Sequence, residues 1–301
     1  MTNRYMNARE YYKNKSGERV LKICIDGGFS CPNRDGTKGF GGCIFCSGRG
    51  SGEKLSPINI SAQIKNYFNS YKATRANKFI VYFQNFSNTY APVDELRAKY
   101  ESVLIDDRIV GINIGTRPDC INHEIVKLLK ELNAKTDVTI ELGLQTVNEE
   151  IGKIINRKYT NADFSNAVHL LNNAGINVIA HLMVGLPNET HEDVAKTIEF
   201  INRHNLLGLK VHSTYVIDGT VLGQYYKSNQ YTPITLEYYT EELAYIINHI
   251  SPAFVLFRIM ADAPKELLLA PMWNCHKKIV LNEINRHFDE HDVHQGKFYK
   301  K

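Results

Sequence analysis

Three observations predict an α/β protein whose parallel strands are joined by helical crossovers. Apolar strand-like runs alternate with helical stretches through six β-then-α units. No antiparallel hairpin signal interrupts them, so right-handed connections within one sheet follow. Polar residues also recur at alternate positions of four consecutive strands, whereas strands covered by helices on both faces should be apolar on both. That parity suits a wet, incompletely closed barrel better than an open doubly wound sheet.

The first strand is expected over residues 20–26, ahead of a cysteine-rich loop. Ser56-Pro57 reads as N-cap and first helical position of a helix over 56–71, with Ile60, Ile64, Tyr67 and Phe68 at helical spacing. A second strand follows over 78–86 and a helix over 92–103. The third strand, 109–114, leads into the polar run Asn113, Gly115 and Arg117, and a helix over 122–132 comes next. The fourth strand, 138–144, sets Thr139, Glu141, Gly143 and Gln145 against Ile140, Leu142 and Leu144. Thr160-x-x-Asp163 is a capping box that opens a helix before a fifth strand, 176–184, with His181 and Gly185 on one face. Thr190-x-x-Asp193 caps the next helix. A sixth strand, 209–217, puts Lys210, His212 and Thr214 opposite Leu209, Val211 and Tyr215, and a last helix covers 235–250.

A chain of 301 residues accommodates one such barrel or two ordinary domains, and no linker-like stretch divides it. The expected organisation is a basic extension over 1–19, a barrel over 20–220, and a helical region over 221–301 that completes the substrate side. The start shows no apolar leader and no run approaches about 18 apolar residues, so a cytoplasmic enzyme with no membrane partner is expected. Net charge is +4, but residues 1–54 carry ten Lys and Arg against five acids. A basic segment interleaved with Tyr5, Tyr11, Tyr12 and Phe40 suits a phosphate-rich partner, and equally a solvated basic tail.

Chemistry concentrates in the loop CPNRDGTKGFGGCIFC, where Cys31, Cys43 and Cys46 are spaced C-x11-C-x2-C. Thiolates that close converge on metal, and three of them on a [4Fe–4S] cube, which four cysteines ordinarily hold, leave one iron with an open position. With Cys24 added, a four-thiolate structural zinc site is the alternative. A disulfide framework is disfavoured by a long chain with six cysteines. Cys120 and Cys275 read as buried thiols.

This loop resembles that of the radical SAM superfamily, in particular a small bacterial family with the same loop, related to the branch of the Elongator catalytic subunit. The resemblance implies a partial (β/α)6 TIM-like barrel, a [4Fe–4S] cluster on Cys31, Cys43 and Cys46, and S-adenosylmethionine (SAM) chelated by the open iron. Glu141-Leu-Gly-Leu-Gln145-Thr looks like the fourth-strand motif of Elongator-type and coproporphyrinogen-oxidising members, which implies that Gln145 contacts the SAM ribose and puts Glu141 among the cofactor-binding residues. Asn156-Arg157-x-x-Thr160 looks like their NR motif, implying that Arg157 reaches the SAM carboxylate. Gly185-Leu-Pro187 resembles the fifth-strand motif in which glycine lets the backbone approach adenine. Where most members have a Gly-Gly-Glu turn after the second strand, this chain has Gln84-Asn-Phe-Ser87-Asn-Thr, so neutral side chains, Asn85 among them, would receive the SAM amino group. His181 stands where relatives often carry an acid that contacts ribose.

The implied activity is reductive cleavage of SAM to a 5′-deoxyadenosyl radical that abstracts hydrogen from a substrate in the barrel mouth, with Lys210 and His212 contacting substrate or moving protons. A donor such as flavodoxin or ferredoxin would supply electrons. The implied substrate is tRNA, at the side chain of a 5-substituted wobble uridine. A peptide or a small metabolite is the alternative. Basic residues and aromatics near the carboxyl end, from Lys277 and Lys278 to Phe298, Tyr299, Lys300 and Lys301, are compatible with an anticodon loop.

Overall fold

Seven parallel strands, in chain order with no crossing, make up one curled sheet in this computed structural model, which describes residues 4–56 and 58–300. The chain runs α1 (Ala8–Ser16), β1 (Val20–Ile25), α2 (Ile60–Phe68), β2 (Lys78–Phe83), α3 (Val93–Glu101), β3 (Ile109–Thr116), α4 (His123–Asn133) and β4 (Asp137–Gln145). It continues through α5 (Glu149–Ile154), α6 (Asn161–Asn173), β5 (Asn177–Val184), α7 (His191–Asn202), β6 (Gly208–Ser213) and β7 (Val216–Ile217). It ends with α8 (Val221–Lys227), α9 (Leu236–His249), β8 (Val255–Arg258), β9 (Leu268–Ala270) and α10 (Lys277–Glu290). The partial barrel expected from strand parity is therefore present, and β8, paired in parallel with β6, extends it by one strand.

Parity works because each strand buries its apolar set under the helices. Ile112, Ile114, Ile140, Leu142, Leu144, Leu209 and Val211 all lie in that outer core, leaving the alternate positions to face a lumen. Both threonine capping boxes form as expected, on α6 and α7.

Four local expectations are corrected. The helix after the cysteine loop begins at Ile60, because Asn59 accepts hydrogen bonds from the Ser61 and Ala62 amides, and Pro57 lies outside the described residues. The second strand ends at Phe83, short of the expected 86. The sixth strand breaks after Ser213, and β7 leaves the sheet to pair antiparallel with β9. Tyr215 consequently turns back toward the cysteine loop, where burial and the nearby Glu53 and Cys46 raise its phenol.

The amino-terminal segment is also structured. α1 lies across the amino ends of β1 and β8, Asn7 bridges to Leu256, and buried Tyr12 packs edge-on against Phe257 and reaches toward Asn113 and Glu141. Arg4 binds Asp289 on α10 at 2.6 Å. α1 is thus the floor of the lumen.

Phe83 ends β2 fully buried, with its ring centroid 5.3 Å from Tyr100 and 6.2 Å from Phe29. Phe83→Ala is expected to lower unfolding free energy by about 3–5 kcal/mol, read from urea denaturation with an unchanged m-value.

Candidate active site

The three thiols are gathered in the loop after β1, and that loop is fastened to the opposite side of the barrel mouth. Ile44 N donates to Ile155 O at 3.1 Å, and Leu222 N to Ile44 O at 2.9 Å. The buried Asn33 amide donates to Asn156 O at 2.6 Å and approaches Cys43 Sγ at 3.8 Å. Asn156, at φ 56°, donates back to Gly42 O at 2.7 Å. Gly42 has φ +81°, and a Cβ there would sit 2.8 Å from the Arg34 guanidinium, which itself donates to the carbonyls of Cys46 and Ser47. The loop is held by reciprocal side-chain clamps.

Burial pushes the Cys43 thiol up to about 12, and the neighbouring Cys46 and Cys31 add to the rise. Burial also raises Cys46. Three half-buried thiols, two of them raised, are a donor set whose state a cation would reverse, since a coordinating thiol is deprotonated outright. Among the described residues no three His, Cys, Asp or Glu side chains converge as ligands of a single ion must, whereas the corners of a cube accept thiolates that stand further apart. Cys24 does not join them: it lines the lumen, exposed to water yet raised by the protein around it and acted on by Lys22, Lys210, Arg258 and Glu141.

Glu141 occupies the centre of the lumen. Its Oε1 accepts from Lys22 Nζ at 2.9 Å and Asn113 Nδ2 at 2.8 Å. Its Oε2 accepts from His181 Nε2 at 2.8 Å and from Lys210 Nζ. Burial opposes its ionisation, but Lys210 and Lys22 prevail and hold the carboxyl well below its ordinary range. Lys210 is pulled down to about 7, by burial first and then by Lys22 and Arg258, against Glu141. The ammonium groups of Lys22 and Lys210 lie 4.7 and 4.3 Å from the centre of the Tyr82 ring. His212 lies beside His181, with ring centroids 5.4 Å apart, and its buried Nε2 has no hydrogen-bond partner.

At the mouth, the end of β2 leaves polar groups unpaired. Both amide atoms of buried Asn85, the Ser87 hydroxyl and Asn88 Oδ1 have no partner, and neither has Asn33 Oδ1 beside Cys43. Unpaired buried groups cost about 1–3 kcal/mol each, which makes them candidates for ligand contact. Gln145, at φ 63°, accepts from Tyr159 OH at 2.6 Å through Oε1, which leaves its amide nitrogen over Gly143.

Two residues implied by the resemblance are otherwise engaged here. Arg157 is fully buried and donates to the carbonyls of Leu144, Thr146 and Tyr159, to Glu149 and to Asn161, so its fork braces the end of β4 and leaves no donor for a cofactor carboxylate. Gly185, at φ 88°, donates to Glu189 at 2.6 Å and accepts from Tyr231, and the space a Cβ would take is filled by Ile234. Sequence reasoning missed Lys22, Tyr82, Asn33 and the clamping role of Asn156. Of these, Lys22 was visible by parity, two positions before Cys24 on β1.

A model of the radical SAM superfamily matches residues 32–201, and one of the Radical_SAM C-terminal domain matches residues 207–290. The uncharacterized protein YtqA of Bacillus subtilis is 37% identical over 303 residues, spanning 99% of this chain and 94% of its own. The protein YhcC of Escherichia coli is 34% identical over 279 residues, 92% and 90% of the two chains. Among solved structures, archaeal Methanocaldococcus infernus Elp3 with an amino-terminal deletion superposes with TM-score 0.66 at 18% identity, over 92% of this chain and 64% of that one.

Burial, aided by Lys210, holds His181 down at about 4 against the pull of Glu141, while its ordinary value is 6.5. Between pH 6.5 and about 4 the unfolded chain binds a proton that the folded chain does not, so stability falls as pH falls through that window. Glu141 acts lower: its depressed pKa contributes stability above the ordinary 4.5, lost as pH drops toward the folded value. His181→Gln is expected to make the upper window shallower, the rest of its slope coming from His212, which burial also holds below its ordinary value, and to weaken the lower one only slightly through the lost contact with Glu141, measured as urea midpoints against pH. An unchanged upper slope would exclude His181 as its source.

Proposed function

The chain belongs to the radical SAM superfamily, and on that premise we propose that it cleaves S-adenosylmethionine reductively at a [4Fe–4S] cluster and acts on tRNA, at the side chain of a 5-substituted wobble uridine. The observation that carries the reading is a clamped trio of thiols in a loop that packs on the end of β2, where Ser87 N donates to Ser30 O, beside the unpaired side chains of Asn85 and Ser87. The family's cofactors are SAM and a [4Fe–4S] cluster.

Cys31, Cys43 and Cys46 would hold the cluster, and Asn85 and Ser87, unpaired at the end of β2, would take the amino and carboxylate groups of SAM in place of the engaged Arg157. The Gln145 amide nitrogen suits a ribose hydroxyl. When bound, the pair supplies one-electron chemistry that removes a hydrogen atom from substrate, with electrons from a donor such as flavodoxin or ferredoxin. The protein's part is to orient and to exclude water. Below the mouth, Lys210, at about 7, is able to hold or release a proton at Nζ near neutral pH, and His212 Nε2 is free to meet substrate.

For tRNA, support comes from the loop itself. Phe40 projects from the cysteine loop with 79% of its surface exposed, a platform on which a splayed base stacks. Several basic residues counted from sequence are already paired within the chain: Arg4 with Asp289, Lys15 with Asp137, Lys38 with Asp119, and Arg286 with Glu283 and Glu290. Phe40 therefore carries more of the tRNA reading than net charge does. Among the described residues no helix is long and apolar enough to cross a membrane, and we place the protein in the cytoplasm.

Protein prepared without oxygen is expected to be brown, to contain about four irons per chain and to cleave SAM on reduction. Cys43→Ala should remove colour and iron together. Asn156→Ala should keep the fold by circular dichroism but retain less iron. Colourless wild-type protein that holds one zinc ends the cofactor reading. Phe40→Ala is expected to weaken salt-dependent tRNA binding by about fivefold or more, the loss of one stacked base. An unchanged uridine profile in tRNA from a deletion strain, read by nucleoside mass spectrometry, withdraws the substrate and leaves a peptide or metabolite in its place.

A further inference from the structure

We infer that the lumen seats a compact oxyanion of the substrate, a carboxylate or a phosphate, among Lys22, Arg258 and His212. This rests on reading the lumen as the substrate chamber, and it names the chemical group the chamber takes. Three cations reach this space, Lys22 from β1, Lys210 from β6 and Arg258 from β8, with Lys210 and Arg258 adjacent in register. Lys22 and Lys210 both stand over the Tyr82 ring, 4.7 and 4.3 Å from its centre, and His212 lies 5.4 Å from the ring of His181, which shares Glu141 with them, so the groups surround one space.

Among the described residues, Glu141 is the one acid within ion-pair distance of either lysine, and it serves both, Lys22 on Oε1 and Lys210 on Oε2. With Lys210 protonated, two ammonium groups on one carboxylate leave a positive charge over, and an arriving anion favours that protonated state. Arg258 does not absorb it: its carboxylate, Asp262, lies 3.5 Å away and is shared with Lys277. An uncompensated charge in a partly dry chamber is costly unless a partner arrives. Room for one exists, since the side chains of Lys22 and His181 keep 26% and 21% of their surface and Cys24 is exposed between protein walls. His212 Nε2 at the end of β6 and Thr214 Oγ1 just beyond it are buried without a hydrogen-bond partner, and each is able to donate, the imidazole in the tautomer protonated at Nε2. A singly charged oxyanion that accepts from Lys22 and His212 balances the charge and completes the orphaned ring nitrogen. The surplus of one charge favours carboxylate over phosphate.

The test is isothermal titration of cluster-loaded protein, without oxygen and at low chloride, with sodium acetate and separately with inorganic phosphate. Saturable binding is expected, weakened at least tenfold by Lys22→Gln and by Arg258→Gln. The tighter probe identifies the group. Arg258 lies at the sheet edge, so R258Q keeps the test if K22Q misfolds. Absence of saturable binding by either probe, or binding that the folded variants leave unaltered, overturns the inference. Iron content and SAM cleavage on the same preparations report separately on the cofactor reading.

Discussion

A single buried carboxylate organises the interior. Glu141 on β4 takes a hydrogen bond or ion pair from β1, β3, β5 and β6, through Lys22, Asn113, His181 and Lys210. Removing a carboxylate from water costs several kcal/mol, and the attraction of its partners repays this only when each lone pair is met. Here each oxygen meets two donors, so five strands share one satisfied network. Breaking one member strands a charge in the lumen, which couples the curl of the sheet to the polarity of the chamber.

The upper and lower halves of the barrel are built differently. Below, Tyr12 from α1 closes the floor and side-chain charges set the chemistry. Above, backbone groups dominate: Asn33 and Asn156 lock the cysteine loop to the segment after α5, and Arg157 holds the Leu144 and Thr146 carbonyls at the end of β4 and that of Tyr159 before α6. The clamps across to that segment are neutral, whereas within the loop the Arg34 guanidinium stands at the Cys46 and Ser47 carbonyls and draws the Cys46 thiol down against its burial. Arg157 works instead on the frame that keeps Asn156 in place.

The same contrast explains where ligands fit. Groups with work inside the protein are saturated, as Arg157 is. Groups left unpaired, Asn85, Ser87 and His212, mark two levels of one space, the mouth beside the thiols and the chamber beneath. On the proposed reading, cofactor chemistry belongs to the first and substrate recognition to the second.

Sequence alone determined the period-two polarity of the strands, both threonine capping boxes, the three-cysteine loop and the family, because each is a local pattern written in adjacent residues. The outer apolar faces followed from the same alternation. Tertiary structure decided what each polar residue touches. Arg157 became a brace, Gly185 a packed turn against Ile234, Lys22 a partner of Glu141, and the basic amino terminus a floor. β8 joined the sheet and β7 left it. Those outcomes depend on register between strands far apart in the chain, and on which buried charge finds which counterion. Neither is encoded in the spacing of neighbours.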